Sequence, residues 1–158
     1  MPDHYPVTLD YFVRRQTWPG WNIPLRRIRN YELVYVLDGE GNITLRGKPL
    51  HLIPGDLILF RPGEAHSLTV TQAPCMVFYG IHFSPLQETP MLSLPDRMHI
   101  SSPLRLEVLF RQLQEAYAAR DGLAAWRRNL LMEQILLDCI PWQIRLSAPQ
   151  RPPGSVGS

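Results

Sequence analysis

Four side chains between residues 26 and 82 carry the chemistry to hold a polar ligand: Arg26, Glu32, His66 and His82. A carboxylate and two imidazoles can exchange protons or ligate a metal, and a guanidinium can grip an oxyanion or neutralise a buried acid. Glu32 and His66 bracket a run of short apolar segments, Glu32–Leu37, Asn42–Leu45, Leu50–Ile53 and Leu57–Phe60. Turns rich in Gly, Pro and Asp separate them: Asp38-Gly39-Glu40-Gly41, Arg46-Gly47-Lys48-Pro49, Pro54-Gly55-Asp56 and Arg61-Pro62-Gly63-Glu64. Short strands at intervals of 8–12 residues mean a sandwich or barrel, and side chains on alternate positions of such strands meet inside it.

The elements that must position these groups follow from the same periodicity. Val7 to Arg14 forms one strand, and residues 25–38 form a longer one. Alternation along it puts Arg26, Glu32 and Val34 on a single face. Ala65–Val70 and Met76–Phe83 supply two more strands, with Gln72-Ala73-Pro74 between them. If the barrel holds a pocket, its lining is Arg26, Glu32, Val34, His66, Leu68, Phe78 and His82. Trp18 and Trp21 flank the Pro19-Gly20 turn and either cover the pocket mouth or staple the N-terminal arm to the wall. Glu32, His66 and His82 each have a plainer reading, as core polar groups that satisfy one another.

After a Pro- and Ser-bearing connection over 84–102 the period changes. Ser102 is placed to cap a helix with Pro103 in its first turn. Leu106, Leu109, Phe110, Leu113 and Tyr117 follow one helical face until Asp121-Gly122. A second helix runs from Leu123 to Ile140 and stops at Pro141. Its apolar stripe is too wide for one solvated face, which points to a second copy as partner. The expected contact residues are Trp126, Leu130, Leu131, Gln134 and Leu137.

Composition narrows the classes. The 158 residues are about one domain with an ordinary apolar content of 45%. A net charge of +2 gives no field that argues for nucleic acid by itself. The two cysteines, Cys75 and Cys139, form no Cys-x-x-Cys and read as buried free thiols. No apolar run reaches membrane-spanning length and no signal segment opens the chain, so the cytoplasm is the expected compartment.

The spacing Glu32-x6-Gly39, then Gly55-x7-Gly63-x2-His66, resembles the two motifs of the cupin family. Many cupins hold a metal with three histidines and a glutamate. Here the family's His-x-His position reads Leu25-Arg26-Arg27-Ile28, and two candidate ligands do not make a metal site. No metal and no cofactor are therefore expected. A closer resemblance, over residues 7–140, is to the effector-binding half of AraC-type transcription regulators. It rests on Tyr31–Gly41, Pro54–His66, Gly80-Ile81-His82-Phe83 and the helical Asn129–Leu137. Where the family's arabinose-responsive member stacks an aromatic side chain on its sugar, this chain has Gly80, so Phe78, Tyr79, Trp18 or Trp21 would have to substitute.

The resemblance implies a mainly β, cupin-like double-stranded β-barrel (jelly roll) followed by two C-terminal α-helices. The expected organisation is an N-terminal arm and first strand over 1–24, a barrel over 25–100, a helical dimerisation segment over 101–146 and a linker or tail over 147–158. It implies a small-molecule effector, with carbohydrates among the candidates, and a homodimer through the helices. DNA contacts are assigned to a helix-turn-helix domain absent from this chain. The rival reading is a metal-dependent cupin enzyme acting on a small sugar-like substrate, which needs Glu32, His66 and His82 to converge on one ion. A third reading is a dimerisation domain with a dry core.

Overall fold

The computed structural model describes residues 4–71, 75–87 and 93–139. Nine strands precede two helices: β1 Val7–Gln16, β2 Asn22–Arg26, β3 Tyr31–Asp38, β4 Gly41–Leu45, β5 Lys48–Leu52, β6 Asp56–Phe60, β7 His66–Thr69, β8 Val77–Pro85, β9 Arg97–His99, α1 Leu104–Ala118 and α2 Ala124–Cys139. They form two antiparallel sheets, ordered β1-β8-β3-β6-β9 and β2-β7-β4-β5. This is the jelly-roll barrel with two trailing helices expected from the sequence.

The larger sheet is buried on both faces, so β3 and β6 are almost wholly apolar rather than alternating. On one face Leu33, Tyr35, Leu57, Leu59, Tyr79 and Ile81 pack on the helices through Phe110, Leu113, Met132 and Ile135. On the other, Val34, Val36, Ile58, Phe60 and Phe78 meet Ile43, Leu45, Leu52 and Leu68 of the smaller sheet. Each fully buried side chain of this kind contributes roughly 1.5–3 kcal/mol. The alternation along β3 thus aims Glu32 at the inter-sheet space and Tyr35 at α1, where its hydroxyl donates to Glu107 Oε1 at 3.2 Å.

Several expectations need correction. Residues 25–38 are not one strand. β2 ends at Arg26, and residues 27–30 cross to the opposite sheet, held by Gly63 N–H donating to the Ile28 carbonyl at 2.9 Å and by Arg27 donating to the Gly63 carbonyl. Arg26 and Glu32 therefore face each other from different sheets. The connection over 84–102 contains β9, whose Leu57↔Met98 pairing extends the larger sheet. Ser102 does not cap α1: Pro103 occupies the capping position and no side chain bonds there. Cys139 is buried, but Cys75 is only half-buried. The turn over 72–74, Ile140 and Pro141, and the tail over 147–158 lie outside the described residues.

Two turns show why glycine is required. The β4–β5 hairpin turns on Arg46 (φ 50°) and Gly47 (φ 78°), the consecutive positive φ values of a tight two-residue hairpin. The Arg46 guanidinium pairs with Glu64 and Asp96. At Gly39 φ is 69°, and a Cβ would stand 2.0 Å from the Cys75 carbonyl oxygen. Left-handed strain and a backbone clash coincide there, so Gly39→Ala should cost more than about 2 kcal/mol in urea unfolding. Gly20→Ala, with open space around its Cβ, should cost less.

Candidate functional site

The polar groups singled out from the sequence do converge. Glu32 (β3) lies between Arg26 (end of β2), His66 (start of β7) and His82 (β8), so the cluster ties the two sheets together at one end of the barrel. Arg26 Nη2 donates to Glu32 Oε1 at 3.2 Å, and Arg26 Nε donates to His66 Nε2 at 3.1 Å. His82 Nε2 lies 3.0 Å from Glu32 Oε2, and His82 Nδ1 lies 3.1 Å from Asn30 Oδ1. The side chains are graded in exposure: His66 1%, Glu32 5%, His82 15% and Arg26 37%. Arg26 is thus the outermost member.

The local environment fixes the protonation of His66. Phe60 stacks on its ring at 4.2 Å, and burial pushes its pKa down, outweighing the Glu64 carbonyl and the Glu32 carboxylate. Since Nε2 accepts from Arg26, the proton of the neutral ring sits on Nδ1, directed at the Glu64 carbonyl 3.4 Å away. Gly80 has its reason here as well. A Cβ at that position would stand 3.2 Å from Glu32 Oε2 and 3.3 Å from Val13 Cγ1. The missing side chain leaves room for the carboxylate, and a larger side chain there would crowd it.

The donor set does not fit a metal ion. The His66 Nε2 lone pair is already used by Arg26, and the guanidinium that makes this bond would repel a cation. Among the described residues no group of three His, Cys, Asp or Glu is placed to hold a metal.

The remaining expected pocket residues divide. Val34, Leu68 and Phe78 are buried in the inter-sheet core, and Trp21 packs edge-on against Phe78 at 5.7 Å. Trp18 is exposed on its turn, and its side chain makes no hydrogen bond or ring contact with the four polar groups among the described residues. On α2, Trp126, Leu130 and Leu137 are exposed, whereas Leu131 packs against the helix-side core and Gln134 bonds Asp138.

The sequence reading missed the residues that link the site to the helices. Asn30 Nδ2 donates to Asp10 Oδ2 at 2.9 Å, and Ser84 Oγ donates to the same oxygen. Asp10 sits at the β1 bulge between Leu9 and Tyr11. On either side of the strand β1 meets the helices. Leu9 N–H donates to Asn129 Oδ1 at 2.9 Å and Val7 N–H to Glu133 Oε1 at 3.2 Å, one helical turn apart on α2. The Tyr11 ring contacts both His82 (5.9 Å) and Tyr117 of α1 (6.3 Å). The Asn129-x3-Glu133 spacing was a readable signal for two acceptors on one helical face, but nothing in the sequence said that an edge strand would lie there.

Folding keeps His66 neutral, so its pKa falls below the ordinary ~6.5 of a free imidazole. The unfolded chain then takes up this proton first as pH drops. Stability tied to His66 is complete above about pH 6.5 and is lost as pH falls from there through the lower folded value. His66→Gln keeps an acceptor for Arg26 and should show a shallower loss of urea midpoint between pH 7.5 and pH 5 than the parent protein.

Comparison with known proteins now places this geometry. No curated protein sequence matches the chain at a significant level. Partial structural likenesses include a predicted oxalate decarboxylase from Thermotoga maritima, 28% identical over 48% of this chain and 66% of that one, with a TM-score of 0.45. The oxalate decarboxylase of Bacillus subtilis is 19% identical over 53% of this chain and 22% of that one (TM-score 0.42). A cupin protein from Bacteroides fragilis is 18% identical over 49% and 67% (TM-score 0.42). The chain spans less than two thirds of the length of the first two. The model of the AraC-like ligand binding domain matches residues 9–137, which covers the barrel and nearly all of both helices, and the chain belongs to that family.

Proposed function

We propose that this chain is the effector-binding and dimerising unit of a DNA-binding transcription regulator. DNA contacts would be made by a helix-turn-helix unit outside this chain. The effector is a small molecule taken up at the polar end of the barrel, where Arg26 and His82 are the accessible members of the cluster and Glu32 and His66 hold them in place. The observation that carries this reading is the family match together with a buried, charge-neutralised cluster that opens to solvent through Arg26. A few placed polar groups beside an apolar wall suit a small-molecule site.

The same reading treats the barrel as a sensor and not a catalyst. The metal-dependent cupin alternative needs His66 Nε2 free, and the Arg26 bond argues against it. The output would run through β1 to α2, whose far face carries Trp126 and Leu130 in the open. Aromatic anchors of this type dominate subunit interfaces. A ligand changes the output only if it binds two arrangements of β1 and α2 with different affinity.

Calorimetry of the purified protein against neutral sugars, sugar acids and apolar acids should find a ligand in at least one class, and elemental analysis should find no stoichiometric Fe, Zn or Mn. No binding in any class together with a bound metal would reverse the assignment. Trp126→Glu with Leu130→Glu should raise the dimer dissociation constant by about a hundredfold or more in light scattering. An unchanged dimer would place the interface elsewhere.

A further inference from the structure

His82 touches two groups that can only accept. Its Nε2 lies 3.0 Å from Glu32 Oε2, and the other oxygen of that carboxylate takes the Arg26 guanidinium. Its Nδ1 lies 3.1 Å from Asn30 Oδ1. The Asn30 amide is held in this sense by its other end, since Nδ2 donates to Asp10 Oδ2 at 2.9 Å. Turned over, the amide would set its oxygen against a carboxylate oxygen. A neutral imidazole has one N–H and one bare nitrogen. Only the doubly protonated ring serves both contacts.

The strand order makes this ring a junction. His82 pairs with Glu32 of β3 on one side and with Tyr11 of β1 on the other, next to the bulge at Asp10. The charged and titratable groups around it come from every neighbouring element. They are Glu32 from β3, Arg26 from β2 behind Glu32, His66 from β7, Asp10 from β1 behind Asn30, and the rings of Tyr11 and, beyond it, Tyr117 of α1. Of the two His82 contacts, the one to the Glu32 carboxylate is charge-assisted. A ring with a single proton therefore keeps it on Nε2. Its bare Nδ1 then faces Asn30 Oδ1, lone pair against lone pair, and that contact is the one released.

We propose that His82 is a proton-operated tie between the polar cluster and β1. With both nitrogens protonated it joins Glu32 to Asn30 and, through Asn30, to Asp10 at the β1 bulge. With one proton it keeps Glu32 and lets Asn30 go. The tie is closed at low pH and opens as pH rises through the titration of the ring. β1 is then left to β8, including the Ser84 bond to Asp10, and to its bonds with Asn129 and Glu133 of α2. The tie stands whether or not the barrel takes an effector.

NMR of the whole 15N-labelled chain between about pH 5 and pH 9 tests the tie. His4 is another imidazole, on Glu133 beside β1, so the titration is run in a His4→Gln parent. As pH rises the His82 Nδ1 should lose its proton while Nε2 keeps its own. The Asp10 backbone amide and the Asn30 side-chain amide should shift with the same midpoint, and the nuclear Overhauser contact between His82 and Asn30 should be lost at the high end. Asn30→Ala should leave the ring titrating but remove most of the shift at Asp10. Asp10→Asn frees the Asn30 amide to turn and donate to the bare Nδ1, so there the His82–Asn30 contact should persist across the range. Urea midpoints check that both variants fold. A His82 ring that keeps one proton state throughout, that loses the Nε2 proton first, or that titrates without moving Asp10 would overturn the proposal. So would loss of the His82–Asn30 contact in Asp10→Asn at the same pH as in the parent.

Discussion

The constraint on which the rest depends is the burial of Glu32. A carboxylate at 5% exposure between two sheets is costly unless it is paired and hydrogen-bonded. The chain meets this by bringing a guanidinium from the opposite sheet, an imidazole from the adjacent strand and an empty Cβ position at Gly80. Each solution fixes an element. Arg26 sets where β2 must end, His82 sets the β3–β8 register through the Glu32↔His82 pairing, and Gly80 keeps the strand between them clear. The apolar core supplies most of the stability, but the buried charge specifies how the sheets face each other.

The same charge connects the barrel to the helices. From Glu32 a chain of polar contacts runs through His82, Asn30 and Asp10 to the β1 bulge, and from β1 to Asn129 and Glu133 of α2. β1 is an edge strand, and the two α2 acceptors occupy backbone donors that would otherwise be unpaired on that edge. The strand is held on one side by β8 and on the other by two side-chain bonds to α2. It also carries Tyr11, whose ring contacts His82. Motion of β1 would reach α2 through these bonds without deforming the doubly buried β3.

Much of this was legible in the sequence. Period-two apolar runs between Gly-Pro-Asp turns gave the strands, and the change of period after Pro103 gave both helices. Glu32, His66, Arg26 and His82 could be picked out because charged or titratable residues in apolar runs must be compensated. What could not be read was which of them would meet, and how. Residues 25–38 alternate plausibly as one strand, since nothing local at Arg27 to Asn30 demands a break. The break is imposed by tertiary bonds to Gly63 from a turn more than thirty residues away. β9 was hidden for a similar reason: three residues, Arg97–His99, are too few to show alternation, and they become a strand only because β6 offers an edge. Asn30 and Asp10 look like ordinary turn and edge residues until the fold sets them 2.9 Å apart.

Arg26 also occupies the lone pairs that a metal ion would need. In a metal-holding barrel an ion gathers carboxylate and imidazole lone pairs at the centre. Here a tethered guanidinium gathers the same two kinds of lone pair, from Glu32 Oε1 and His66 Nε2, and its own chain supplies it. The exchange has a chemical consequence. An ion with open coordination positions can polarise a substrate and activate water. A guanidinium has no vacant orbital and does not lose its proton in the physiological range, so it offers only hydrogen-bond donors in fixed directions. The exchange leaves directional hydrogen-bond donors at the centre, on a side chain that is 37% exposed.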